Sequence, residues 1–125
     1  MSNPLLFKNY VAGAAIAANT LVKFGADDNT VLPAAAASDL VIGVSGDLPA
    51  ALGERVDVVH VGIGFCVAGA AVARGSRLMS DASARAIAAA AAAGTNVNTA
   101  GVALETAAAA GDVIRALVAP ATFQG

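Results

Sequence analysis

The sequence has few of the residue types on which most catalytic and metal sites depend. Its 125 residues include one cysteine, one histidine and no tryptophan. A single cysteine excludes an internal disulfide and a zinc site built from several cysteines. A single histidine excludes a metal site built from several histidines of one chain.

Charge is also scarce. Asp, Glu, Lys and Arg make up 13% of the chain, about half the share of an ordinary soluble domain. The net charge is −2, and no basic run is present, whereas nucleic-acid binding depends on clustered Lys and Arg. We therefore expect no nucleic-acid partner. Such a surface is typical of a protein covered by neighbours, although an alanine-biased ordinary domain has the same composition.

Long apolar segments are missing as well. The longest uncharged run, Ala86 to Leu104, is mostly alanine and contains GTNVNTAG, so it is too weakly apolar to span a bilayer. The opening MSNPLLFKNY lacks the basic region and apolar core of a secretion signal. The sequence therefore predicts no membrane partner and synthesis in a cytoplasm.

What the chain does contain is an internal repeat. The stretch IGVSGDLPAALGERVDVVHVG, Ile42 to Gly62, matches AGVALETAAAAGDVIRALVAP, Ala100 to Pro120, at an offset of 58 residues. AGAAIA, Ala12 to Ala17, recurs as AGAAVA, Ala68 to Ala73, at an offset of 56. One such unit cannot bury its apolar face alone, so we expect the two copies to pack around one core.

The repeat predicts the fold class. Each half has about four short apolar stretches separated by Gly, Asp, Asn and Ser at spacings of roughly 8–12 residues, which is typical of an all-β sandwich or barrel. We predict a single β domain over residues 12–125, with repeat halves at about 12–62 and 68–120. Between them, Gly62 to Val67 is predicted to form one more strand, near the boundary of the halves.

One stretch is ambiguous. By propensity Ala86 to Ala93 is the best helix in the chain, because alanine is the strongest helix former. Its counterpart, Thr30 to Ala37, contains Pro33, which would break a helix. We therefore predict a short strand and an alanine-rich connection in both places, with a helical turn as the alternative.

Residues 1–11 are predicted to form an extended N-terminal arm. Pro4 disfavours helix at the preceding residue, and Leu5, Leu6, Phe7 and Tyr10 form the most apolar and aromatic cluster of the chain. The arm either lies on another protein surface or packs on its own domain.

Catalytic patterns are nearly absent. Ser45, Asp57 and His60 could be combined into a triad on paper, but no nucleophile elbow supports it. We interpret His60 as a polar strand position that faces solvent or another subunit.

The remaining candidates are equally weak. Cys66 lies among apolar residues without a basic neighbour, so we expect a buried side chain. Asp27-Asp28-Asn29 falls short of a calcium loop, and Gly62-Ile63-Gly64 lacks the third glycine of a dinucleotide site. We therefore expect no catalytic residue, no cofactor and no metal, and a protein that works by its surfaces.

Several segments together resemble a known family. These are SNPLLFKNYVAGAAIAANTLVKFG, IGVSG with GERVDVVHVGI, ARGSRLMSDASARA, AGVALE and GDVIRALVAP. They are similar to the capsid decoration, or cement, proteins of tailed bacteriophages, and the resemblance runs from about Asn3 to Gly125.

The resemblance implies a compact β domain that assembles as a homotrimer on the outer surface of the expanded head. There it would bridge subunits of the major capsid protein and stabilise the capsid, after synthesis in the bacterial cytoplasm. It also gives the arm a role, in which the arm contacts the shell or a neighbouring subunit and becomes ordered only on binding. The residues concerned are Pro4, Leu5, Leu6, Phe7 and Tyr10. Removing residues 2–10 is then expected to abolish head binding and leave the fold intact.

Two other classes stay open. Another structural virion component, such as a tail or head-completion protein, would also be a β-repeat protein without a catalytic site, but it would assemble six or twelve subunits. An enzyme or small-ligand carrier would need polar groups converging inside the barrel, where the strands offer mostly Val, Ile, Leu and Ala.

Overall fold

The computed structural model describes residues 3–89, 94 and 96–124. Across these residues the chain forms β-strands and no helix, which confirms the predicted all-β fold. The strands are β1 Asn3–Ala12, β2 Leu21–Phe24, β3 Thr30–Pro33, β4 Val41–Ser45, β5 Arg55–Val67, β6 Arg77–Ser80, β7 Ala86–Ala88, β8 Asn96–Ala103 and β9 Val113–Gln124.

The first five strands close into a barrel. Their order is β1-β3-β2-β4-β5, and β1 also pairs with β5. The β1–β3 pair is parallel and short, at Val11–Thr30 and Ala12–Val31, whereas the other pairs in the barrel are antiparallel. The buried side chains inside it are Tyr10, Ala12, Ile16, Val22, Val31, Ile42, Ala50, Val56 and Val58.

The second half builds on the same sheet. Beyond Gly62, β5 pairs with β9, and the order continues through β8, β6 and β7. Its core contains Leu78, Ile114 and Val118 and also four residues of the first half, Leu21, Ala34, Val41 and Val44. The two halves therefore share this core, whereas the inside of the first barrel forms a second cluster, so the single core expected from the repeat is divided in two.

The repeat recurs in strand register and in backbone hydrogen bonds. Opposed pairs of the first half are matched in the second: Leu21–Val44 by Arg77–Val102, Val44–Val59 by Val102–Leu117, and Lys8–Val58 by Gly64–Ala116. Gly53 N donates to Ala12 O, and Gly111 N donates to Ala68 O, each at 2.8 Å. The two halves are thus equivalent in register as well as in sequence.

The repeated Gly-Val pair has a packing reason. A Cβ on Gly43 would collide with the carbonyl oxygen of Val59, and a Cβ on Gly101 would collide with that of Leu117. Val59 and Leu117 are themselves equivalent positions of the repeat. Glycine recurs here because a neighbouring backbone approaches too closely for any side chain.

The segment predicted as an arm is extended, and its described residues lie on their own domain. Asn3 to Val11 pair with β5 from Ile63 back to Arg55. The two alternatives for the arm therefore resolve, for residues 3–12, into a strand that closes the first barrel.

One detail differs from the sequence interpretation. The predicted strands on either side of Gly62 are one continuous strand, β5, so the boundary of the halves falls within a strand. The ambiguous alanine stretch begins as the predicted short strand, β7, Ala86–Ala88, and its residues 90–93 lie outside the described residues.

Candidate interaction surface

The N-terminal half of β1 exposes three consecutive apolar side chains. Leu5 is 83% exposed, Leu6 56% and Phe7 59%. Among the described strands β1 has β3 as a partner only at its last two residues, so the preceding part has one edge without a paired strand. We call Leu5, Leu6 and Phe7 the β1 tip.

A bulge changes the direction in which the β1 tip points. Leu6 lies opposite Val61 and Phe7 opposite Val59, so His60 is the extra residue between them. Directly opposed residues share a sheet face, and an extra residue reverses the alternation that follows it. Leu6 and Val61 therefore share one face, while Phe7 and Val59 share the other.

Tyr10 differs from the rest of the predicted arm surface because it is 4% exposed. Its ring lies in the barrel core, edge-on to Phe24 at 6.2 Å between ring centroids, and burial raises the pKa of its hydroxyl. The Lys8 Nζ lies 4.3 Å above the centre of the same ring. Tyr10 is thus a core residue, and the exposed part of the predicted binding surface does not include it. The side chain of Pro4 lies outside the described part of the structure.

His60, expected to face solvent or another subunit, is only partly exposed. It is half-buried, with Nε2 2.8 Å from the Tyr10 hydroxyl and Nδ1 2.7 Å from the carbonyl oxygen of Ile42. A carbonyl oxygen only accepts, so Nδ1 carries a proton and donates it to Ile42, while Nε2 lies within hydrogen-bond distance of the Tyr10 hydroxyl. The side chain therefore joins β5 to β1 and β4.

Next to His60 lies an open apolar groove of about 370 Å³. Phe24, Leu40 and Val61 line it and are 47%, 61% and 38% exposed. The remaining lining residues are Val41, Ile42, His60 and Pro120. We call this groove the mouth of the first barrel. Leu6 of the β1 tip lies opposite Val61 of the mouth, so the tip and the mouth are adjacent.

The equivalent positions of the second half lack large apolar side chains. Phe24, Leu40 and Val61 correspond by repeat offset to Ser80, Asn98 and Ala119. Sequence reasoning missed the mouth because its residues are far apart in the chain. A comparison of the two repeat halves could have found it, because the first half has large apolar residues at positions where the second half has small or polar ones.

The triad drawn from the sequence is not assembled. Ser45 Oγ donates to the carbonyl oxygen of Ala17 at 2.9 Å, and Asp57 accepts from Asn9 at 3.0 Å. His60 is bonded to Tyr10 and not to either partner.

Two further candidates from the sequence are Cys66 and Asp27. Cys66 is buried, and desolvation raises the pKa of its thiol to about 12. The Asn29 backbone N–H lowers the pKa of Asp27 within its own turn. In the described part of the chain, no three His, Cys, Asp or Glu side chains are grouped to hold a metal ion, and no helix has the length and apolarity to cross a membrane.

A β protein built from two equivalent halves, with clusters of exposed apolar side chains at a strand tip and in a groove, has the features of the class of structural binding proteins. The sequence identifies the family within that class. Residues 7–119 match the family model of phage cement proteins, so the chain belongs to the phage cement protein family. It is accordingly a capsid-associated structural protein of a phage virion.

A solved phage structure shares the fold. The N base of head fiber gp8.5 from bacteriophage phi29 superimposes with a TM-score of 0.68 over 91% of this chain and 93% of that one, at 17% sequence identity. At that identity the likeness concerns the fold alone. No curated protein matches the sequence.

Proposed function

We propose that this protein binds the outer surface of the expanded phage head as a homotrimer and stabilises the capsid by bridging subunits of the major capsid protein. The observation that carries the proposal is the β1 tip, because three consecutive apolar side chains are exposed on a strand with an unpaired edge. Exposed apolar clusters of this kind mark binding surfaces. Membership of the cement family supports the capsid as the partner.

The β1 tip is suited to this role because the rest of its strand is anchored in the barrel. Residues 10–12 of the same strand are anchored in the barrel by the buried Tyr10 and by pairing to β3 and β5. The tip is thus presented on a strand that is already ordered, so binding costs little conformational entropy. Trimerisation makes three modest contacts act together, which raises the avidity of the whole assembly.

Co-sedimentation with heads tests this proposal. Purified protein is mixed with DNA-filled expanded heads, or with unexpanded proheads, stripped of the native copy. We expect saturable binding to expanded heads at about three chains per local three-fold position. Binding to neither particle would refute the head-binding role, and rings of six or twelve subunits would indicate a tail or head-completion component instead.

The β1 tip is tested by substitution. Leu5→Ser with Phe7→Ser should weaken head binding at least about tenfold, since two exposed apolar contacts are lost at roughly 1 kcal/mol or more each. Val113→Thr, which is also an exposed apolar position, is the matched control and should bind as the unmodified protein does. Equal binding by the tip variant would exclude the tip as the contact.

A further inference from the structure

A second exposed apolar feature lies at the other end of the first barrel, in the connection from β4 to β5. Within this first-half loop, Gly46 to Glu54, Leu48 is 80% exposed and Leu52 71%. The loop is fixed by its backbone, because Ile16 and Ala50 exchange two hydrogen bonds of 2.8 Å. Glu54 also accepts from the Ala51 backbone N–H at 2.6 Å. Both leucines are therefore held outward on an ordered loop.

These leucines belong to one half only. At the offset of 58 residues, Leu48 corresponds to Thr106 and Leu52 to Ala110. The mouth shows the same asymmetry, since Leu40 corresponds to Asn98. The second half keeps the same backbone pairing, but at the positions equivalent to the mouth and the first-half loop it has small or polar residues.

The two surfaces differ in the net charge of their edges. By the mouth, Lys23 is paired with Asp39 at 3.0 Å beside Leu40, and Lys8 lies exposed above the Tyr10 ring, so these groups sum to +1. By the first-half loop, Arg55 lies beside three acidic residues, Asp47, Glu54 and Asp57, so these groups sum to −2. An apolar centre with a charged rim is the usual composition of a protein interface, and complementary rims favour one pairing over others.

We propose that copies of this chain associate head to tail, with the first-half loop of one copy placing Leu48 and Leu52 on the mouth of the next. The proposal rests on the self-association in the proposed function and names the surfaces that make it. A cyclic trimer requires two different complementary surfaces on every chain, because only a two-fold dimer can use one patch twice. The mouth and the first-half loop are such a pair, because both expose large apolar side chains and their edges differ in the sign of their net charge.

The residues at equivalent positions of the second half provide the substitutions that test the proposal. In the mouth variant, Leu40→Asn and Val61→Ala introduce the residues of the second half, as do Leu48→Thr and Leu52→Ala in the loop variant. All four positions are exposed, so the fold should be kept. Leu117→Ser, at another exposed leucine on β9, is the control.

Mixing the two variants gives the decisive measurement, read by light scattering and sedimentation. Each variant alone should associate at least about tenfold more weakly than the unmodified chain and the control. Their mixture should form a 1:1 heterodimer that grows no further, because one intact mouth and one intact loop remain. A mixture without heterodimer, variants that associate normally, or an unmodified chain that stays monomeric at about 1 mM would each overturn the proposal.

Head binding by the same variants separates this proposal from the proposed function. Normal self-association combined with lost head binding in the mouth variant would make the mouth a capsid contact and overturn the head-to-tail contact. A heterodimer from the variants, with no head binding by the unmodified chain, would refute the capsid role and leave the copy-to-copy contact standing.

Discussion

At the scale of single residues, close approach of a neighbouring backbone constrains the repeated glycines. Gly43 sits on β4 where β5 passes, and the Val59 carbonyl occupies the space of a Cβ. Gly46, three residues later, has no atom nearer than 3.8 Å to a Cβ position. Two glycines of one segment therefore differ sharply in their tolerance of a side chain.

We expect Gly43→Ala to lower the free energy of unfolding by about 3 kcal/mol, because backbone has to move to admit the methyl group. Gly46→Ala should change it by less than about 1 kcal/mol, because the added Cβ meets ordinary contact distances. Urea denaturation of both variants measures the difference. Equal stabilities would contradict the packing explanation of the repeated glycine.

At the scale of elements, β1 has two functions along its length. Its C-terminal part closes the first barrel through Tyr10 and the parallel pair with β3. Its N-terminal part carries the exposed β1 tip. The structure argues against the expectation that residues 2–10 can be removed without loss of fold, because Tyr10 and most of the β1–β5 pairing would go with them.

Deletion of residues 2–10 should therefore lower the free energy of unfolding by at least about 3 kcal/mol, comparable to the loss of one buried aromatic side chain. The Leu5→Ser and Phe7→Ser double variant should lose less than about 1 kcal/mol, since both side chains are exposed. Denaturation followed by circular dichroism compares the two. A truncated protein as stable as the full chain would mean that β1 does not hold the barrel closed.

At the scale of the whole molecule, the segment between β3 and β4 joins the two halves. Asn98 of β8 donates to the carbonyl oxygens of Ala37 and Ser38 at 3.0 and 2.9 Å. Asp39 keeps this segment in shape by accepting from the Ala35 backbone N–H at 2.7 Å and from Lys23 at 3.0 Å. These two bonds, the Ala35 bond first, hold the pKa of Asp39 below its ordinary value of 3.8.

A lowered pKa in the folded state makes Asp39 stabilising above pH 3.8, and this stabilisation is lost as the pH falls through the lowered value. Asp39→Asn should thus destabilise the protein at pH 7 and have a diminishing effect as the pH falls below 3.8. Asp28→Asn, which removes the same charge from an exposed turn, is the control. Unfolding free energies from pH 7 to pH 2 provide the test, and a pH-independent effect of Asp39→Asn would refute the linkage.

The sequence alone determined the β class, the duplication and the position of nearly every strand. These follow from local patterns, namely the alternation of apolar residues and the turn residues between strands. Comparison with the other copy also favoured strand over helix at Ala86–Ala88, because the equivalent strand Thr30–Pro33 contains a proline. The sequence also led to the expectation that the chain works by its surfaces, because one histidine and one cysteine leave little room for a chemical site.

Only the tertiary structure decided which apolar residues are available to a partner. Tyr10 and Phe7 belong to one apolar cluster in the sequence, yet barrel closure buries the first and leaves the second exposed. The extra residue His60 places Leu6 on the face of Val61, and barrel closure brings Phe24 and Leu40 to the same groove. Register shifts and contacts between distant segments are long-range properties, so no local pattern in the chain encodes them.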